Sequence, residues 1–393
     1  TAQNTYDRFC SDGTYDLYDF RSDNEKRLVQ SITTGISGKA EISGLTHHLD
    51  FEILRSRRLD RLPAAQAYNG VGTASVNSQI YTSENATPNF ANTNRTEYNT
   101  EISAKDRLDL TPNTSLWLGL RHVEFNRASV QNDVNNPNAV QHSSSINLPW
   151  VAVSKNLSNV TVIYASHGHG VEQYISPNSA LFANAGTQLG VGRSRQTELG
   201  VRQSSTLNTN WNAALFQIER PLAYDVFDGN TFLSTRLLDG TQKHEGLELG
   251  ARYSQSNFTL ASQARWMKAS IEDVQQTNGV VGSTPTNTPQ LVLRGWTEYR
   301  YSSVPGLRTG LRVSHEGERN VTEDGSIKLP AWTIWGASAH YDTKVSHISS
   351  TWSLSIDNLT DKQYWRESPK QFGHYYLYPG APRTLRATVQ FRM

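Results

Sequence analysis

The chain has 393 residues with a formal net charge of +1; 36% of them are hydrophobic and 10% aromatic, including 17 Tyr and 9 Trp. So balanced a charge leaves no electrostatic footprint for nucleic acid, and no run approaches the roughly 18 consecutive apolar residues of a membrane helix. A membrane barrel stays open as a class, because its strands turn only every second residue to lipid and the whole can remain hydrophilic.

Thr1 to Asp23 is aromatic, polar and turn-rich without a sustained period, and reads as an outer loop. The chain does not begin with Met and shows no charged, apolar leader, so its N-terminus reads as processed or cut. The single cysteine, Cys10, raises the question of a partner elsewhere. Leu28 to Ile42 and Leu49 to Leu54 read as strands. In the second, Leu49, Phe51 and Ile53 share one face and Asp50 and Glu52 the other, the period of two of an extended chain. Residues 59–93 form a long loop rich in Asn, Ser and Thr. Strands are expected at 95–108 and 115–128 about the tight Thr111-Pro-Asn-Thr-Ser115, with Leu116, Leu118 and Leu120 on the apolar face.

The same unit recurs: long polar loop, strand, tight turn, strand. Pairs are expected at 145–156 with 159–170, 195–206 with 211–225, 233–254 with 258–272, 290–303 with 306–319, and 328–343 with 349–364. Their turns lie at Lys155 to Asn159, Thr206 to Asn210, Ser254 to Asn257, Ser303 to Gly306 and Lys344 to His347. A last strand opens at Thr384. There Leu385, Ala387, Val389 and Phe391 alternate against Arg386, Thr388, Gln390 and Arg392. Turns on one side stay short, whereas loops such as 128–143, 173–192 and 273–288 run long. That is the asymmetry of an outer-membrane barrel. The count is about fifteen strands, an odd number where bacterial single-chain barrels are even.

Opposite the apolar positions stand charges at same-face spacings: Glu198 with Arg202, Glu248 with Arg252, Arg294 with Glu298 and Arg300, then Arg308 and Arg312. On a lipid face each would cost roughly 2–4 kcal/mol at the midplane, so they suit a wet or protein-filled interior. A solvated face of an ordinary sheet would carry the same pattern.

Five motifs bring a resemblance: SRQTELGVR (194–202), KHEGLELGARY (243–253), PAWTIWGASAHY (330–341), NLTDKQYW (358–365) and PGAPRT (379–384). Together and in this order they resemble TonB-dependent outer-membrane receptors, and most the siderophore-receptor branch; YDFRSDNEKR (18–27) and QAYNGVG (66–72) add to it. The resemblance implies an all-β fold, a transmembrane antiparallel β-barrel of which about 15 strands of about 22 lie in this chain. Residues 1–393 would then be the C-terminal part of that barrel, with the plug and first strands outside it, and the nine lumen charges would face the plug. Two departures stand out. No plug or TonB-contacting segment is present, and Phe391 is followed by Arg392 and Met393 where the family usually ends in an aromatic residue.

By the same resemblance, ligand is caught at the outer mouth. The residues expected to do so are Tyr364, Trp365, Arg366, His374, Tyr375 and Tyr376 in the last loop, then Tyr81, His167, His169, Tyr174, Arg193 and Arg195. Aromatic rings offer flat apolar contact with a polar handle, and Arg suits an anionic chelate. An interfacial aromatic girdle would need the same residue types at nearly the same height. The His167-Gly-His169 pair lacks a third ligand for a metal site, and no nucleophile triad or isolated carboxylate pair indicates an enzyme. The resemblance implies no cofactor, since iron travels inside a ferric siderophore. It also implies the partners: the TonB–ExbB–ExbD complex, outer-membrane lipid and lipopolysaccharide. A receptor for cobalamin, another metal chelate or a sugar, a diffusive porin or adhesive barrel, and a barrel enzyme or soluble β-rich hydrolase remain as alternatives.

Overall fold

Tight turns set the hairpins. Ile42 pairs with Leu45, and Val345 with Ile348, leaving two residues to turn the chain. At Ser43 and Gly44 φ is 52° and 79°, and at Ser346 and His347 it is 49° and 73°. Positive φ at both central positions gives a turn whose twist matches that of the strands it joins. From such turns the ladders run outward in register, and register fixes which side chains share a face.

The computed structural model describes residues 3–9, 12–75, 82–132, 138–204, 208–275, 281–371 and 374–392. Cys10, Tyr81 and the turn at 205–207 lie outside them. Fifteen strands form one antiparallel sheet: β1 (Lys26–Ile42), β2 (Leu45–Arg61), β3 (Thr93–Thr111), β4 (Thr114–Gln131), β5 (Asn138–Asn156), β6 (Thr161–Ile175), β7 (Gln188–Gln203), β8 (Thr209–Asp228), β9 (Leu233–Gln255), β10 (Phe258–Glu272), β11 (Leu291–Arg300), β12 (Leu307–Glu316), β13 (Trp332–Val345), β14 (Ile348–Asp357) and β15 (Thr384–Arg392). Each pairs only with its neighbours in the chain, and β1 and β15 form the two edges. All fifteen strands expected from alternation are present. The longest departure is β2, which continues on both sides of the apolar Leu49–Leu54 core of the pattern.

Two segments read as loops are not loops. Gln3–Phe9, Thr14–Arg21, Ala65–Ser75 and Phe90–Ala91 make a separate four-stranded sheet at the long-loop end. Its pairing joins 14–21 to 67–75, a partnership no local period can announce. Tyr18 stacks on Tyr68 with ring centroids 4.9 Å apart, and Asp19, 1% exposed, accepts a hydrogen bond from the backbone N–H of Asn85 at 2.8 Å.

The two faces of the large sheet differ sharply. One register row reads Ala165, Leu199, Leu215, Leu247, Trp266, Leu291, and Leu199 and Leu215 are 58% and 56% exposed. Another reads Leu260, Thr297, Leu311, Ala337, Ile356, Leu385. The opposite face carries rows such as Arg202, Asn212, Gly250, Gln263, Arg294, Ser314. An apolar face left outside and a polar one inside inverts a soluble sandwich and is the order required in a bilayer. No helix among the described residues is long and apolar enough to cross a membrane.

Strand length completes the picture. A spanning strand needs about 9–11 residues, yet β2 has 17, β8 has 20 and β9 has 23. The surplus lies at the long-loop end, where outward residues change character: Leu49, Phe51 and Ile53 on β2 give way to Arg55, Arg57 and Arg61. Buried apolar side chains, including Ile175, Phe182, Leu222, Val321, Leu329 and Trp332, also belong to that end.

This division predicts unequal costs for the same change. In the full-length protein refolded into lipid vesicles, Leu215→Arg on the outer face should destabilise by about 2–4 kcal/mol. Gln263→Arg on the inner face should cost a small fraction of that. Denaturant titrations give both values, and equal costs would reverse the assignment of faces.

Candidate functional site at the mouth

The last long loop, between β14 and β15, leaves the wall through Asn358, whose side-chain amide donates to the backbone carbonyls of Lys362 (2.8 Å) and Ala381 (3.0 Å). That clamp closes the base of the loop. Gly380 donates its N–H to the Tyr364 carbonyl at 2.7 Å, and the Tyr364 ring lies where a Gly380 Cβ would stand. Tyr364 also packs on Trp332 of β13, with centroids 4.7 Å apart, and burial raises its hydroxyl pKa.

Above the clamp, the loop is fastened to its neighbours. Arg319, 5% exposed, pairs with Glu316 at 2.8 Å and donates to the Arg366 carbonyl at 2.8 Å. Asn287 and Ser368 bond reciprocally: the Asn287 amide donates to Ser368 O (2.8 Å), and the Ser368 N–H donates to the Asn287 Oδ1 (2.7 Å). Glu323 accepts from Lys370 at 2.9 Å and from the Tyr375 hydroxyl. Burial, then Glu323, pushes the Tyr375 pKa well above the ordinary tyrosine value. Trp365, Arg366 and Tyr375 nevertheless remain exposed, so the loop offers rings and a guanidinium on a fixed frame. The Arg366 guanidinium already meets Glu367 at 2.6 Å. His374 sits in a two-residue strand paired with Gln371, and Tyr376 donates its N–H to Pro369 O at 3.0 Å.

The remaining expected ligand contacts fall elsewhere. Tyr174 lies on the inner face at the long-loop end, 9% exposed, covering Gly192; its hydroxyl is 2.7 Å from Glu172, which pairs with Arg220 at 2.7 Å. Burial, then Glu172, pushes its pKa up to about 12. Tyr174 is therefore a packed member of the wall.

His167, His169, Arg193 and Arg195 require correction. His169 stands opposite Arg195 and His167 opposite Thr197, in the same outward set as Leu199. They face away from the interior, and so cannot meet a ligand held inside the mouth. Residue type alone could not give their side. The nine expected interior charges, by contrast, all share the polar face: Glu198, Arg202, Glu248, Arg252, Arg294, Glu298, Arg300, Arg308 and Arg312 alternate against the outward rows.

One cluster went unforeseen. At the upper end of the inner wall, Asp60 accepts from Arg95 (2.6 and 3.1 Å) and Arg58 (3.2 Å), while Glu97 lies 3.4 Å from Arg127 and 3.6 Å from Arg95. Burial would raise the Asp60 pKa, but the guanidinium hydrogen bonds outweigh it and hold the carboxyl below its usual range. Burial, then repulsion from Arg95, lowers the Arg127 pKa. The cluster depends on β2 pairing with β3 across a 31-residue connection (62–92), which spacing alone could not disclose.

An apolar outer wall, a polar inner face and long loops gathered at one end are the features of an outer-membrane β-barrel. The family model described as "TonB dependent receptor-like, beta-barrel" matches residues 1–359, and the chain belongs to this family of outer-membrane proteins. The chain is 28% identical over 308 residues to the ferrichrome receptor FcuA of Yersinia enterocolitica, covering 73% of this chain and 38% of that one. Among solved structures it resembles the ferric preacinetobactin receptor BauA of Acinetobacter baumannii (20% identity, TM-score 0.80, 99% of this chain and 58% of that one). It also resembles the ferripyoverdine receptor of Pseudomonas aeruginosa (14% identity, TM-score 0.70, 99% and 51%). The chain thus spans about two fifths of the curated relative and just over half of these structures.

Two predictions concern the loop frame. Glu323→Gln or Tyr375→Phe should free the last loop and raise its rate of tryptic cleavage at Lys370 about threefold or more, since local opening governs such cutting; unchanged cutting would mean the staple does not hold. In the adjoining loop, hydrogen bonds from Thr322 and Ser326 push the Asp324 pKa down to about 2 from 3.8. A depressed carboxyl stabilises above its ordinary value and ceases to do so as pH falls through about 2. At pH 3 peptic cleavage of this loop should therefore be slow in the natural protein and faster in Asp324→Ala.

Proposed function

We propose that this chain is the C-terminal part of the barrel of a TonB-dependent receptor that takes up a ferric siderophore. The observation that carries the reading is the similarity to a protein that is itself a ferrichrome receptor. The mouth supports it: Trp365 and Tyr375 present rings, and Arg366 a cation, on a frame fixed by Asn358, Asn287 and Arg319. Rings contact the organic part of a chelate and a guanidinium its anionic oxygens. Tyr364, His374 and Tyr376 complete the candidate set.

The wall of this receptor continues beyond the fifteen strands. Both β1 and β15 carry a row of unpaired backbone groups along one edge, and open edges are not tolerated in hydrocarbon. Further strands, to a total of about 22, close the barrel, and a plug fills it. The nine interior charges then hydrogen-bond the plug, and the TonB–ExbB–ExbD complex supplies the energy that moves it. Iron is cargo inside the siderophore, the receptor needs no cofactor, and no bond of the cargo is made or broken. The outward wall lies against membrane lipid and lipopolysaccharide.

The test uses the full-length receptor in cells lacking other siderophore receptors, with uptake of iron-labelled siderophores of hydroxamate, catecholate and mixed chemistry. One class should be taken up in a TonB-dependent manner. Trp365→Ala with Arg366→Ala should weaken its binding about tenfold or more, as removal of an aromatic and an Arg anchor does, while the folded barrel still reaches the membrane. Uptake of cobalamin or a sugar, but of no siderophore, would replace the reading.

A further inference from the structure

The inner face from β7 to β15 carries cations that its carboxylates leave unanswered. Three carboxylates below the mouth are each shared by two guanidiniums. Glu316 lies 2.8 Å from Arg319 and 3.6 Å from Arg294, and Glu298 lies 3.1 Å from Arg300 and 3.9 Å from Arg308. Asp357 meets Arg312 and, at 4.0 Å, Arg386. The other acids are engaged as well: Asp342 with Arg308 at 3.3 Å, and Glu198 with the Tyr164 hydroxyl and the Gln196 amide, while Glu248 stands opposite Arg265. Arg202 and Arg252 are exposed and make no ion pair among the described residues; the Arg252 guanidinium instead lies over the Trp296 ring, 5.3 Å from its centroid.

These two cations border a hollow of about 880 Å³, with Arg294, Arg312 and Trp296 also on its lining. Small side chains open it: Gly250 stands between Asn212 and Gln263 in one row, and Ala261 between Arg252 and Trp296 in the next. Trp296 faces Arg312 on its other side, so an exposed ring is flanked by two guanidiniums. The hollow starts directly beneath the mouth, where Arg294 shares Glu316 with Arg319, the residue that holds the Arg366 carbonyl. Arg312 is four residues below Glu316, about 13 Å of strand. At the short-turn end, Arg202 is one residue from the last of β7 and Arg252 three from the last of β9. Guanidiniums therefore line the wall from the mouth frame to the far exit, and the free ones lie at the bottom. The volume falls within the range of roughly 300–1,000 Å³ that small-molecule sites occupy.

We propose that this hollow is a second binding station, in which an anionic ferric chelate released from the mouth is held by Arg202, Arg252 and the Trp296 ring before it leaves at the short-turn end. Guanidiniums grip the oxyanions of such a chelate and the indole takes its flat organic part. The charge class of the cargo follows. Hydroxamates cancel the charge of the ferric ion and leave nothing for the free arginines to answer, whereas catecholates and carboxylates exceed it. The inference rests on the siderophore reading and adds to it the charge of the cargo and a stop on its path. While the plug is seated these guanidiniums face it, and the hollow receives cargo when the plug moves.

The test uses the full-length receptor in cells lacking other siderophore receptors, with iron-labelled tris-catecholate, citrate and tris-hydroxamate chelates as probes. Maximal uptake rate is measured in cells, and affinity at the mouth is measured on the purified receptor. Arg202→Gln with Arg252→Gln should lower the maximal uptake of an anionic chelate about tenfold, the order expected from losing charge-assisted hydrogen bonds, with mouth affinity unchanged. Gln263→Glu, which removes no cation and sets a carboxylate in the hollow, should slow the same uptake. Lys105→Gln, an exposed inner-face cation opposite Asp50 on a distant part of the wall, should match the natural protein. Heat-modifiable migration on gels shows that each variant is folded, and continued exclusion of vancomycin shows that the plug is seated. Natural uptake by the Arg202/Arg252 variant or by Gln263→Glu, or equal loss in Lys105→Gln, overturns the proposal. Vancomycin entry in the Arg202/Arg252 variant also overturns it, by making these residues ties to the plug. Uptake of the neutral tris-hydroxamate alone overturns the proposal and leaves the siderophore reading standing, whereas uptake of no siderophore removes both.

Discussion

Hydrocarbon offers no partner to a backbone N–H or C=O, and that single constraint accounts for most of this molecule. Helices satisfy it within one segment; strands satisfy it only in company. Each of the fifteen strands is therefore laid against the strand before it, and the pairings run without crossover from β1 to β15. Once the ladder is obligatory, the period of two follows, and lipid and interior sort the side chains into the leucine rows and the arginine–glutamate rows.

The same constraint ends where the bilayer ends. Above the band the strands keep pairing with one another, but nothing apolar waits on the outside, and packing moves to the mouth. There the chain behaves as a soluble protein does: Trp332, Leu329 and Phe182 are buried, and amide side chains such as Asn358, Asn287 and Asn178 tie loops to backbone. Rigid rings on a fastened loop lose little freedom when they meet a ligand, which favours a mouth whose frame is built before the ligand arrives.

What could be read in the residues follows the range of each interaction. Alternation is local, so every wall strand was legible, and the interior charges were legible with them. The outer four-stranded sheet was not, because it joins Thr14–Arg21 to Ala65–Ser75 and neither segment alternates cleanly. Arg58, Asp60, Arg95 and Arg127 were missed for the same reason: only the β2–β3 register brings them together. His167, His169, Arg193 and Arg195 were placed on the wrong side, since residue type does not tell in from out, and only parity against a lipid-facing residue decides it. Leu199 was available for that comparison. The Asn287–Ser368 tie, by contrast, has no signal in either loop alone.

The wall and the mouth also differ in how far along the chain their contacts reach. Each wall pairing joins a strand to the next one, so the sheet can grow by adding one hairpin at a time. The ties of the mouth join residues much further apart: Asn287 to Ser368 are 81 positions distant, and Thr93 reaches Asn178 across 85. Contacts of long separation close last because their loop entropy must first be met. The wall is thus built from short closures along the chain, and the frame of the mouth from long ones.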